Sequence, residues 1–66
     1  MKRLDKINEI ASLLNLYKIK FNMENEEIET DEEQLIHTDA LLAIVEKCNK
    51  IGLGCSLLRK GRLYIF

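Results

Sequence analysis

The chain has no proline and no tryptophan, only three glycines, two cysteines and one histidine among its 66 residues. Each shortage excludes something. Collagen, a Pro-rich linker and a low-complexity tail all need far more Pro and Gly. An apolar share of 47% also sets the chain apart from disordered sequences. Cys48 and Cys55 allow at most one internal bridge, too few for a secreted disulfide scaffold, so the expectation is reduced thiols and a cytoplasmic setting. No Cys-x-x-Cys pair or His/Cys cluster is present to hold a structural zinc. No apolar run approaches the roughly 18 residues that cross a bilayer. The N-terminal stretch MKRLDKINEIASLL lacks the unbroken apolar region of a secretory signal. The sequence therefore predicts no membrane association, no metal and no cofactor.

What is present is amphipathic patterning. In residues 3–15, Leu4, Ile7, Ile10, Ala11, Leu13 and Leu14 fall on one side at 100° per residue, which predicts a helix. Asn15 is placed to end it in a left-handed cap. Residues 17–23, YKIKFNM, alternate, with Tyr17, Ile19, Phe21 and Met23 on one side and Lys18, Lys20 and Asn22 on the other. That pattern predicts a half-buried strand. A turn near Asn25 and a second strand somewhere in 27–37 follow, with Gln34-Leu35-Ile36-His37 the better-packed half of that window. Thr30-Asp31-Glu32-Glu33 has capping-box spacing, so a short acidic helical turn over 31–35 competes with the strand. Thr38-Asp39 is a second N-cap signal. It introduces a helix over 39–51 with Leu41, Ile44, Val45, Cys48 and Ile51 as its apolar stripe, closed by Gly52.

Residues 53–66 read as a hairpin turning at Lys60-Gly61. A two-residue loop there pairs Leu58 with Leu63, Leu57 with Tyr64 and Cys55 with Phe66. Leu53, Cys55, Leu57, Tyr64 and Phe66 then line one face, and Leu58, Leu63 and Ile65 the other, so both faces are apolar. The resulting fold class is α+β: one small domain over 1–66, order α-β-β-α-β-β, with two helices packed on one face of an antiparallel sheet. Within it the acidic segment 24–33 is either ordered or a mobile loop.

Such a domain buries only about 60% of its unfolded surface, so a partner is a common source of further stability. A single helical layer covers one face of the hairpin and leaves the other for a protein partner or a second copy, with Leu57, Tyr64 and Phe66 as apolar anchors. The plain alternative is a strongly twisted sheet wrapped by the first helix.

Charge is segregated. Residues 1–21 hold five basic and two acidic groups, 22–39 hold eight acidic and no basic groups, and 40–66 hold five basic and one acidic. Glu26, Glu27, Glu29, Glu32 and Glu33 could steer a basic partner or simply keep the domain soluble. They lack the glycine and spacing of a calcium loop. A nucleic-acid module using Lys18, Lys20, Arg59, Lys60 and Arg62 is the rival reading. The alternative there is a charged hairpin tip that blocks edge pairing. A third reading is an acidic inhibitor that mimics nucleic acid.

No reaction chemistry emerges. His37 stands alone beside capping residues, and Cys48 sits on an apolar helical stripe as a small hydrophobe. Cys55 lies near a helix C-terminus, which does not stabilise a thiolate. No Gly-x-Gly-x-x-Gly, P-loop or His-Glu-x-x-His pattern occurs. The sequence predicts a small non-enzymatic protein-interaction module, homodimeric or with a different partner.

Overall fold

The structure is a computed structural model that describes residues 2–31, 34, 36–58 and 62–66. Its elements are α1 (Arg3–Leu16), β1 (Phe21–Glu24), β2 (Glu27–Thr30), α2 (Thr38–Ile51), β3 (Cys55–Leu57) and β4 (Leu63–Ile65). The four strands form one antiparallel sheet in the order β1-β2-β4-β3, with both helices on one side. This is the α+β arrangement and element order expected from the patterning.

α1 buries Ile7, Ile10 and Leu14, spaced so that a helix presents them together, whereas Leu4 stays 46% exposed at its start. Asn15 does not cap it. The left-handed residue is Lys18 (φ 58°), where Lys18 N–H donates to the Asn15 carbonyl and Ile19 N–H to the Leu14 carbonyl. These two bonds make a Schellman motif, and the accompanying apolar contact is available from buried Leu14 and Ile19. The motif consumes residues 17–19, so the first strand begins at Phe21 rather than Tyr17. Tyr17 and Met23 remain 42% and 47% exposed, while Ile19 reaches the core.

β1 and β2 are joined by Asn25 and Glu26, both at positive φ (53° and 58°), as a two-residue type I′ hairpin requires. The second strand thus occupies the acidic half of its window, and 24–30 is hairpin rather than loop. Ile28 is 0% exposed and supplies the apolar half of the alternation. Thr30 does not cap a helix. Its hydroxyl is buried and accepts the Leu63 N–H at 2.8 Å, tying β2 to β4. Gln34 acts as a substitute strand for the end of β1. Lys20 N–H donates to Gln34 Oε1 at 2.9 Å, and Gln34 Nε2 returns a bond to the Lys20 carbonyl at 2.6 Å. The alternative helical turn over 31–35 falls mostly outside the described residues.

α2 starts one residue earlier than expected, with His37 at the N-cap and Asp39 in the first turn, where a negative charge suits the helix end. It buries Ala40, Ile44 and Cys48, with Leu41, Val45 and Ile51 half-buried beside them. Gly52 adopts φ 81° and Leu53 N–H closes on the Cys48 carbonyl at 2.8 Å, stopping the helix where a Cβ would be strained. The core gathers Ile7, Ile10, Leu14, Ile19, Ile28, Ile44, Leu63 and Ile65 between helices and sheet.

The terminal hairpin differs from expectation by one residue. Cys55 pairs with Ile65, Ser56 with Tyr64 and Leu57 with Leu63, and Leu58 N–H donates to the Arg62 carbonyl. Leu58 and Arg62 therefore flank three residues, 59–61, rather than two. Because side chains alternate with period 2, this shift swaps the faces of the β3 residues relative to β4. Leu57 joins Cys55, Leu63 and Ile65 on the helix side, and Leu58 joins Tyr64 and Phe66 on the open side.

Candidate partner-binding face

The uncovered face of the sheet can be read directly from the strand registers. One row across it runs Asn22 (β1), Glu29 (β2), Tyr64 (β4) and Ser56 (β3). The row nearer the β1–β2 turn holds Glu24 opposite Glu27, followed by Phe66 opposite Gly54. The row beyond the other end holds Lys20 beside Asp31, followed by Arg62 beside Leu58. The alternating positions Ile28, Leu63 and Ile65 point into the core at 0–1% exposure.

β4 side chains lean diagonally across these rows. The Tyr64 hydroxyl donates to Glu27, and the Arg62 guanidinium binds the Glu29 carboxylate at 2.8 Å. The Tyr64 and Phe66 rings stack with centroids 5.5 Å apart and planes 30° from parallel. Phe66 also covers Gly54. A Cβ at Gly54 would stand 2.5–2.8 Å from three of its ring carbons, so only glycine admits the ring there. The Gly54 and Phe66 backbones exchange two hydrogen bonds, at 2.8 and 3.0 Å, which anchor the last residue of the chain. Glu27 acceptance raises the Tyr64 phenol above its ordinary pKa, reinforced by desolvation and the Glu27 and Glu29 charges and opposed by Arg3.

Glu24, Glu27 and Glu29 line a shallow depression of about 200 Å³ with Asn22, Asn25 and Tyr64. Glu24 faces Glu27 directly, a like-charge cross-strand pair that costs stability in a free hairpin. Glu26 extends from the turn, where its carbonyl accepts the Arg3 guanidinium at 3.0 Å and ties the hairpin to the start of α1.

Of the residues singled out from sequence, the fold brings Glu27, Glu29, Tyr64 and Phe66 onto one face, with Lys20 and Arg62 in its far row and Glu26 at its rim. Leu57 is not among them. It lies on the helix side of the edge strand and is 65% exposed where the layer above runs out. Glu32, Glu33, Arg59 and Lys60 lie outside the described residues. Lys18, Lys20 and Arg62 share one end of the sheet. There Lys18 holds the left-handed position just past the end of α1, the Lys20 backbone is clamped by Gln34, and Arg62 is engaged by Glu29. Sequence reasoning omitted Asn22, Glu24 and Ser56 from the face. Asn22 and Glu24 were legible as the polar parity opposite Phe21 and Met23, and Glu27 and Glu29 as that opposite Ile28 and Thr30, whereas Ser56 needed the hairpin register.

Among the described residues no helix is long and apolar enough to cross a membrane, and no group of three or more His, Cys, Asp or Glu converges as metal ligands would. Compared with protein-family models, with curated proteins and with solved structures, the chain matches none of them.

Proposed function

We propose that this chain is a small non-enzymatic protein-interaction module that docks a basic protein surface on the open face of its sheet. The observation that carries the reading is the placement of Glu24, Glu27 and Glu29 on one uncovered face beside the stacked Tyr64–Phe66 pair. Aromatic anchors next to carboxylates suit Lys or Arg side chains, through ion pairing at the carboxylates and cation–π contact at the rings. The Glu24–Glu27 opposition supports the same reading, because a partner's cation relieves a repulsion that the isolated protein bears. Electrostatic steering by such a face accelerates encounter and weakens with salt. The scarcity of cysteine supports a cytoplasmic setting.

The test is a titration of labelled protein with a Lys/Arg-rich peptide at low salt, followed by NMR. Expected are shifts confined to β1, β2 and β4, weakened by salt and by Glu24→Gln with Glu29→Gln. Shifts that ignore this face would overturn the reading. Light scattering on the isolated protein addresses the homodimer form, which predicts a mass that doubles with concentration and reverts with Tyr64→Ala and Phe66→Ala. Titration with a DNA or RNA oligonucleotide addresses the nucleic-acid rival, which predicts shifts at Lys18, Lys20 and Arg62 instead.

A further inference from the structure

We infer that Cys48 and Cys55 form a dithiol–disulfide couple, converted by a low-molecular-weight disulfide such as oxidised glutathione into an intramolecular bridge that pins the end of α2 to the edge strand β3. Cys48 is fully buried in the last turns of α2, on the side that faces the sheet. The Leu53 bond to the Cys48 carbonyl and the left-handed Gly52 then fold the chain back on itself. Cys55 opens β3 on the same inner side, opposite fully buried Ile65, and packs against the core that contains Cys48. α2 and β3 are in direct contact, and each thiol shifts the ionisation of the other. Only six residues separate the cysteines, and β3 is an outer strand of the sheet, so it can adjust toward disulfide geometry without disturbing a neighbour beyond it.

The accessibilities set the order of events. Cys55 is half-buried and Cys48 is not exposed at all, so Cys55 meets the oxidant. Its thiolate attacks one sulfur of glutathione disulfide, whose S–S bond breaks and releases a glutathione thiolate. Cys48 then gives up its proton and attacks the Cys55 sulfur of the mixed disulfide, expelling the second glutathione thiolate. The two protons lost by the cysteines go, through solvent, to the two leaving thiolates. Two protein thiols are oxidised and one small disulfide is reduced. Burial of both thiols keeps their thiolate fractions low, so the couple responds to sustained oxidising conditions rather than to brief ones.

The experiment incubates the full chain in glutathione buffers of rising disulfide-to-thiol ratio, quenches with acid, labels remaining thiols with a maleimide in denaturant and weighs the product. The expected result is a monomer that loses both labels together and carries no glutathione. Persistent double labelling, a stable glutathione adduct as the end product, or disulfide-linked dimers would each overturn the proposal. The same series in denaturing urea measures what the fold contributes. Bridge formation is expected to be favoured about tenfold or more in the folded chain, as effective concentration rises when two groups are held together. Equal preference in the two states contradicts the positioning. Cys48→Ser should accumulate a glutathione adduct at Cys55 while Cys55→Ser stays unmodified, and the reverse pattern overturns the assigned order.

Discussion

Glu24 stands directly across the β1–β2 ladder from Glu27, on the last rung before the turn, and Glu27 is also the acceptor for the Tyr64 hydroxyl. One carboxylate of the pair is engaged by β4, and the other projects from an edge strand. Replacing Glu24 by Thr removes the repulsion and introduces a better strand former. It should raise stability by about 0.5 kcal/mol while weakening binding of a basic peptide. Urea denaturation and peptide titration of the same variant check both signs. A loss of stability would show that Glu24 is not repelled.

Lys18 occupies a left-handed position that glycine adopts without a Cβ penalty. Lys18→Gly should stabilise the fold by up to about 1 kcal/mol, because the left-handed strain exceeds the added chain entropy. The check is a higher urea midpoint at unchanged slope. An unstable variant would mean that the lysine side chain, and not the backbone, holds the end of α1.

Gly54 lies under the Phe66 ring and outside the positive-φ region, and the three atoms nearest to an added methyl all belong to that ring. Gly54→Ala should cost about 1–2 kcal/mol by displacing Phe66, in the range of core overpacking. In a Phe66→Ala background the same substitution should become neutral or stabilising, since Ala is the better strand residue. A double-mutant cycle reads this coupling. Additive effects would place the ring elsewhere.

Burial, with the neighbouring Cys55 charge and thiol, pushes the Cys48 pKa from 9.0 up to about 12. The folded state therefore holds this proton more tightly than the unfolded state. Its contribution to stability is full below about pH 9 and is lost as pH rises toward 12. Urea midpoints measured at intervals across this range should fall in the wild type and fall less in Cys48→Ala. Parallel curves would exclude Cys48 as the titrating group.

Local hydrogen bonding made much of the fold legible. Ile7, Ile10 and Leu14 on α1, and Ile44 and Cys48 on α2, share helical faces because a helix closes bonds only four residues apart, and the period shows in any short window. Gly52 as the end of α2 and Asn25 at the first turn follow from equally local φ preferences. The candidate site was legible only in its residue types. Carboxylates and aromatics could be named, but not which of them share a face.

What the sequence by itself determined is therefore the element order, the buried stripes of both helices and the acidic character of the first hairpin. Tertiary structure decided the one-residue register of the β3–β4 hairpin, which moved Leu57 away from Tyr64 and Phe66. It also decided the use of the Thr30 hydroxyl for β4 and of the Gln34 amide for Lys20. These bonds join positions 33 and 14 residues apart. The physical reason is that such partners meet only after helices and sheet have packed, when the core selects which β3 residues share the helix side with Leu63 and Ile65.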